Sequence, residues 1–179
     1  MPAPLPAKAP FEAFAKCGDR LLVIGGNAMI GYGSQRLTQD CDCAVLVEDE
    51  RLIAAALAPL GYLFKERFDS FSRYAHLGAQ RPVVDVMLLN AATFDKLHAS
   101  SREITLIGVT LRAPMPMHLV ALKLHALKQN PSRLGKDWDD IRFLLDEHRA
   151  EWTREELSEL ATQYASDEFA ALLRQTGYL

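Results

Sequence analysis

Two short segments constrain this chain more than any other feature. Leu21-Leu22-Val23-Ile24 runs into Gly25-Gly26-Asn27-Ala28, and after thirteen residues beyond Gly26 the sequence Asp40-Cys41-Asp42-Cys43 opens a second apolar stretch that extends to Val47. The pattern predicts a strand over 20–24, a glycine turn, a short helix, and a partner strand over 41–47. A glycine turn at the end of a strand, opening a helix, brings backbone N–H groups against a large anion, and phosphate is the usual guest. On an extended chain Asp40 and Asp42 point to one face while Cys41 and Cys43 point to the other. Adjacent carboxylates repel each other, and a divalent cation shared with substrate phosphates relieves that repulsion. A solvated strand end is the alternative for an isolated Asp-x-Asp, and the neighbouring glycine turn argues against it. The glycines do not fit Gly-x-Gly-x-x-Gly, the acidic pair comes sooner than the roughly 20-residue ribose spacing of a dinucleotide fold, and no Gly-Lys-Ser/Thr occurs.

Further along, Val83-Val84-Asp85-Val86-Met87-Leu88-Leu89 is the most strand-like run and carries one carboxylate. An ionised group in such a strand needs compensation. Arg81 or Arg73 would supply it as a salt bridge; a metal already held by Asp40 and Asp42 is the other candidate. Around these strands the pattern predicts helices over 11–17, 49–60 and 91–98, a hairpin of 62–67 and 71–77 turning at Asp69-Ser70, and a strand or broken pair over 104–111 with Gly108 at the turn. From Met115 the periodicity is helical throughout, with helices over 117–129, 137–148, 153–164 and 166–175. Thr153-x-x-Glu156 forms a capping box flanked by Trp152 and Leu157 as a hydrophobic staple.

Lys123 stands out in the first of these helices. On a wheel of about 100° per residue, Leu119, Val120, Leu122, Leu124, Ala126 and Leu127 form one arc with Lys123 in its middle. Lysines usually take the wet face or its border, so a central one implies an anion in a cleft or a core carboxylate such as Asp137. Asp137 itself reads as a helix N-cap, with Asp140 supporting the first turn, or as a site residue. His118, His125 and His148 have no metal-ligand spacing.

Taken together, Gly25-Gly26, Arg36-x-Thr38 and Asp40-x-Asp42 resemble the polymerase-beta-like nucleotidyltransferase fold. Within it the chain is most similar to abortive-infection toxin-type (AbiEii-like) and related bacterial members. The run Lys123-Leu124-His125-Ala126-Leu127 followed by Arg133-x-x-Lys136-Asp137-x-x-Asp140 matches the same pattern, and the resemblance covers roughly Leu21 to Leu145. It implies an α/β (α+β) architecture: a small mixed β-sheet flanked by helices, with a helical C-terminal lobe. It also implies Mg²⁺-dependent transfer of an NMP from an NTP to an acceptor hydroxyl. Asp40, Asp42 and Asp85 would bind the metals of a two-metal site; Lys123 and Asp137 would join them in catalysis. Gly25, Gly26, Asn27, Arg36, Thr38, Lys123, Arg133 and Lys136 would contact the nucleotide. Relatives of this fold often carry serine where Asn27 stands. Among acceptors a tRNA 3′ terminus ranks first, a protein hydroxyl second and a small molecule third, and the toxin resemblance implies a cognate antitoxin. The rival, from a different class, is a non-catalytic nucleotide-binding or interaction protein that keeps the fold.

Composition narrows the partners. With 179 residues and 49% apolar content the chain suits one domain over 11–179, a mixed-sheet half to 113 and a helical half from 114, after a proline-interrupted tail of 1–10. A net charge of −3 provides no global basic field, which disfavours broad RNA contact and gives no reason to expect DNA. The three cysteines read as reduced core thiols, which suits the cytoplasm. The N-terminus does not read as a signal peptide, and no apolar run reaches the roughly 18 residues of a membrane span.

Overall fold

The computed structural model describes residues 8–78 and 81–179, which fall into two compact units, one ending at Pro114 and one running from Met115 to Leu179. The expected tail lies outside the described residues as far as residue 7. Ala9 and Pro10 already belong to helix α1 (Ala9–Ala15) and are buried, because proline is accommodated in a first helical turn, whose N–H groups have no intrahelical partner.

The first unit is built on a five-stranded mixed sheet. Its strands are β1 (Leu21–Val23), β2 (Cys41–Leu46), β3 (Tyr62–Phe68), β4 (Phe71–His76) and β5 (Val84–Leu89), in the order β1-β2-β5-β4-β3. Only β2 and β5 run parallel; the other neighbours are antiparallel. Helix α2 (Gly25–Gly31) bridges β1 and β2, and helix α3 (Glu50–Leu57) leads to β3. Alternation then sorts the sheet into two faces. Cys41, Cys43, Val84, Val86, Ser72 and Tyr74 lie on one face and are buried, while Asp42, Asp85 and Arg73 lie on the other and are half-buried. Tyr74 ties the buried face to α3 by donating to Glu50 Oε1 at 3.2 Å. Burial pushes the Cys41 thiol up to about 12, with the charges of Asp42 and Asp40 adding to the effect, and pushes Cys43 well above its ordinary value. Both are therefore protonated thiols, and all three cysteines are free.

Helix α4 (Ala91–Ala99) follows β5, capped by Asn90, whose side chain accepts from Thr93 N at 2.9 Å. The segment read as a strand or broken pair is a hairpin of β6 (Arg102–Leu106) and β7 (Val109–Ala113). Its two central residues, Ile107 and Gly108, take φ of 49° and 77°. A tight hairpin needs positive φ at both positions, which glycine adopts freely and a β-branched isoleucine only under strain.

The second unit is helical: α5 (Pro116–Gln129), α6 (Leu134–Glu147), α7 (Arg154–Tyr164) and α8 (Asp167–Gln175). Both bonds of the Thr153–Glu156 capping box are present at 3.1 and 2.8 Å, and Trp152 and Leu157 are buried beside it. Helix α6 starts three residues before Asp137, which places Asp137 inside the helix and removes the N-cap reading. Among the described residues no helix is long and apolar enough to cross a membrane.

Candidate active site

The register of the sheet assembles the acidic residues. Asp42 on β2 is the direct partner of Asp85 on β5, Asp85 is the partner of Arg73 on β4, and Arg73 is the partner of Glu66 on β3. Four charged side chains therefore form one row across four strands on the half-open face. Arg73 grips Asp85 with a fork, Nε donating to Oδ1 at 2.8 Å and Nη2 to Oδ2 at 2.9 Å. Its Nη1 also donates to Glu66 Oε1 at 3.4 Å, and the guanidinium lies 5.5 Å from the Phe68 ring centroid. The hydrogen bond to Asp85 raises the Arg73 pKa above its ordinary value, outweighing the opposing effect of burial. Of the compensators that the sequence offered Asp85, Arg73 is in contact.

The glycine pair is shaped around the acidic strand. Gly25 has φ of 62°, and a Cβ there would lie 2.2 Å from Asp42 Oδ2; a Cβ on Gly26 would lie 2.7 Å from Thr38 Oγ1. Only glycines let the turn approach both side chains this closely. Ile24 N donates to the Asp42 carbonyl at 3.1 Å, and the buried Asn27 donates from Nδ2 to the Asp40 carbonyl at 2.8 Å. Asn27 was expected to reach phosphate; here its amide anchors the start of β2. Thr38 packs on the turn at Gly26, and Arg36 donates from Nε to the Leu37 carbonyl at 3.5 Å within the same loop.

The donor set of Asp40, Asp42 and Asp85 consists of carboxylate oxygens alone, which suits a hard divalent cation such as Mg²⁺. Among the described residues, however, no three His, Cys, Asp or Glu side chains are gathered into a cluster that could hold a metal. Both oxygens of Asp85 are held by Arg73, whose strand β4 flanks β5 on the side opposite β2.

In the second unit, Lys123 is 8% exposed and donates from Nζ to Asp137 Oδ1 at 3.2 Å and Asp140 Oδ2 at 2.5 Å. Arg133 completes the group, with Nε donating to Asp137 Oδ2 at 2.6 Å and Nη2 to Oδ1 at 3.4 Å. Burial pushes the Asp137 carboxyl up, but the Arg133 hydrogen bond and the charges of Lys123 and Arg133 outweigh it and hold the pKa below its ordinary value. Two cations thus meet two buried carboxylates. Of the two anions that the apolar arc left open for Lys123, the core carboxylates Asp137 and Asp140 are in contact with it. Lys136, also expected at the nucleotide, is exposed on α6.

Sequence reasoning named Arg73 only as one possible partner of Asp85 and missed Glu66 altogether. Both sit in ordinary alternating strands, and no local signal marks them.

No protein-family model matches the chain, and no curated protein matches it by sequence. Solved structures do. The solution structure of the antibiotic-resistance factor ANT(2'')-Ia is 16% identical, covers 97% of each chain and superposes with a TM-score of 0.69. Its crystal structure in complex with adenylyl-2''-tobramycin is 17% identical over 89% of this chain and 98% of that one, again with a TM-score of 0.69. The lincomycin-bound lincosamide adenylyltransferase LnuA is 15% identical over 76% of this chain and 94% of its own, with a TM-score of 0.53. The chain therefore has the nucleotidyltransferase fold.

Proposed function

We propose that this protein transfers an NMP from an NTP to an acceptor hydroxyl. The observation that carries the reading is the register of Asp42 beside Asp85, on the half-open face of the sheet, with Asp42 seated against the Gly25-Gly26 turn. Asp42 and Asp85, with Asp40 at the mouth of β2, would hold Mg²⁺, which would supply charge neutralisation for the triphosphate. Glycine at positions 25 and 26 lets Asp42 and Thr38 close against the backbone of the turn, which fixes Asp42 beside the nucleotide. Asp85 would accept the proton of the attacking hydroxyl as its oxygen bonds to the α-phosphorus and pyrophosphate departs. Asn27 and Thr38 would hold the acidic strand in place, and Arg36 would reach the phosphates from the adjoining loop. We assign Lys123, Arg133, Asp137 and Asp140 to holding α5 and α6 together rather than to the chemistry.

For the acceptor, a small hydroxylated molecule now ranks ahead of a tRNA 3′ end. The likeness to a structure in complex with adenylyl-2''-tobramycin, over 89% of this chain and 98% of that one, supports this order, as does the acidic charge of −3. Two of the cations that an RNA backbone would need already contact Asp137 and Asp140. The toxin-type reading, with a cognate antitoxin, rests on the motif resemblance alone. One observation favours a non-catalytic binding protein instead: the Arg73 fork on Asp85 is also how an ordinary strand ion pair would look.

Incubation with each α-labelled NTP, Mg²⁺ and a lysate separates these readings. Label in a small product that survives RNase and protease is the expected result. Label lost to RNase would restore tRNA as acceptor, and label lost to protease would select a protein. Nucleotide binding without any labelled product would select the non-catalytic reading.

A further inference from the structure

We infer that Arg73 is a positioning residue that latches both carboxylate oxygens of Asp85 and passes to Glu66 when a divalent cation binds. The inference rests on the proposed nucleotidyl transfer and adds the control of its third carboxylate.

Three observations support it. First, the fork occupies both oxygens of Asp85, at 2.8 and 2.9 Å, so a cation shared with Asp42 must compete with the guanidinium for them. A bidentate guanidinium is a strong competitor for a carboxylate. Second, a seat for the released guanidinium is already in contact with it: Glu66 at 3.4 Å and the Phe68 ring at 5.5 Å. Third, that seat depends on an irregularity in the edge strand. Phe64 pairs with Tyr74, and the register then shifts so that Glu66, not Lys65, faces Arg73. A regular ladder would place a lysine opposite the arginine. The bulge exchanges a repelling neighbour for an attracting one, a known use of bulges in re-aiming side chains. Arg73 thus has two anionic partners on the same face, one on each flanking strand, and moving between them needs only side-chain rotation.

Mn²⁺ alone, titrated against the full chain and followed by electron paramagnetic resonance, tests the latch without turnover. Arg73→Gln removes the competitor and should bind Mn²⁺ about tenfold more tightly than the parent, while melting at lower temperature in the absence of metal. Arg73→Lys, which cannot form the fork, should fall between the two. Glu66→Gln removes the alternative seat and should weaken Mn²⁺ binding by about threefold. Affinity that is unchanged or lower in Arg73→Gln would overturn the latch; should that variant not fold, unchanged affinity in both Arg73→Lys and Glu66→Gln would do so. Asp42→Asn and Asp85→Asn serve as controls on the underlying site. If both bind Mn²⁺ as the parent does, the acidic row is not the metal site and the functional reading fails together with the latch. Loss of binding in these two, with no response at Arg73 or Glu66, removes the latch alone.

Discussion

In the first unit Asp42 and Asp85 stand side by side on parallel strands, whereas in the second Asp137 and Asp140 both end on the ammonium of Lys123. The residue types are the same and the physical outcomes differ. Helical spacing in the second unit sets Asp137 and Asp140 three apart on one face of α6, where a single lysine from α5 reaches both and Arg133 adds a second cation to Asp137 at the i,i+4 spacing. Lys123, Asp137 and Asp140 are nearly removed from water, with Arg133 half-exposed at their edge, so breaking the group leaves a buried charge uncompensated. In the first unit the carboxylates are half-buried and meet by strand register, with the arginine on the far flank of one of them. A buried, charge-matched group suits structure; adjacent carboxylates on an accessible sheet face suit a site that receives a cation.

Four substitutions would break or sharpen this contrast. The largest effect is expected from Asp42→Asn, which keeps the shape and removes one of two like charges in register. NMP transfer should fall by about a thousandfold or more, the scale of losing a group that stabilises transition-state charge, while the metal-free melting temperature holds or rises. Mg²⁺ with NTP should raise the melting temperature of the parent and not of this variant. An equal response in both would remove the metal assignment.

Lys123→Met makes the complementary test. It removes the buried cation shared by Asp137 and Asp140, leaving Asp137 with Arg133, and should cost about 3 kcal/mol or more, read by denaturant unfolding. Unchanged stability with weakened NTP binding would instead return Lys123 to the active site and erase the contrast.

Gly25→Ala should have a smaller effect on the fold and a clear one on activity. The added Cβ would meet Asp42 at 2.2 Å on a backbone of φ 62°, with a cost of about 1–3 kcal/mol from the conformation alone. Transfer activity should fall further than this loss of stability explains, because Asp42 must move. Activity retained in a folded variant would show that the turn does not set the position of Asp42.

The smallest effect concerns acid. Asp137 has a lowered pKa in the folded chain, so its contribution to stability is complete above its ordinary value of 3.8 and is lost as pH falls through the folded value. The difference in melting temperature between the parent and Asp137→Asn should therefore be constant from neutrality to about pH 5 and shrink below about pH 4. A gap that persists into stronger acid would mean that Asp137 stabilises by packing rather than by charge.

What could be read along the chain was whatever local geometry dictates. Period-two alternation put Asp42 on one face of β2 and the cysteines on the other, the glycine pair marked the close turn, and Thr153-x-x-Glu156 announced its own cap, because each depends on residues within a few positions of one another. The mixed-sheet half and the helical half were legible for the same reason. Tertiary structure decided which strands became neighbours and in what register. That step brought Asp85 to Asp42, gave Asp85 to Arg73 and, through one bulge, faced Arg73 with Glu66. A shift of one residue would have sent each of these side chains to the other face, and no local pattern encodes the choice. The partner of Lys123 was settled in the same way: its place in an apolar arc required an anion, and only the packing of α5 against α6 determined that the anion would be Asp137 and Asp140.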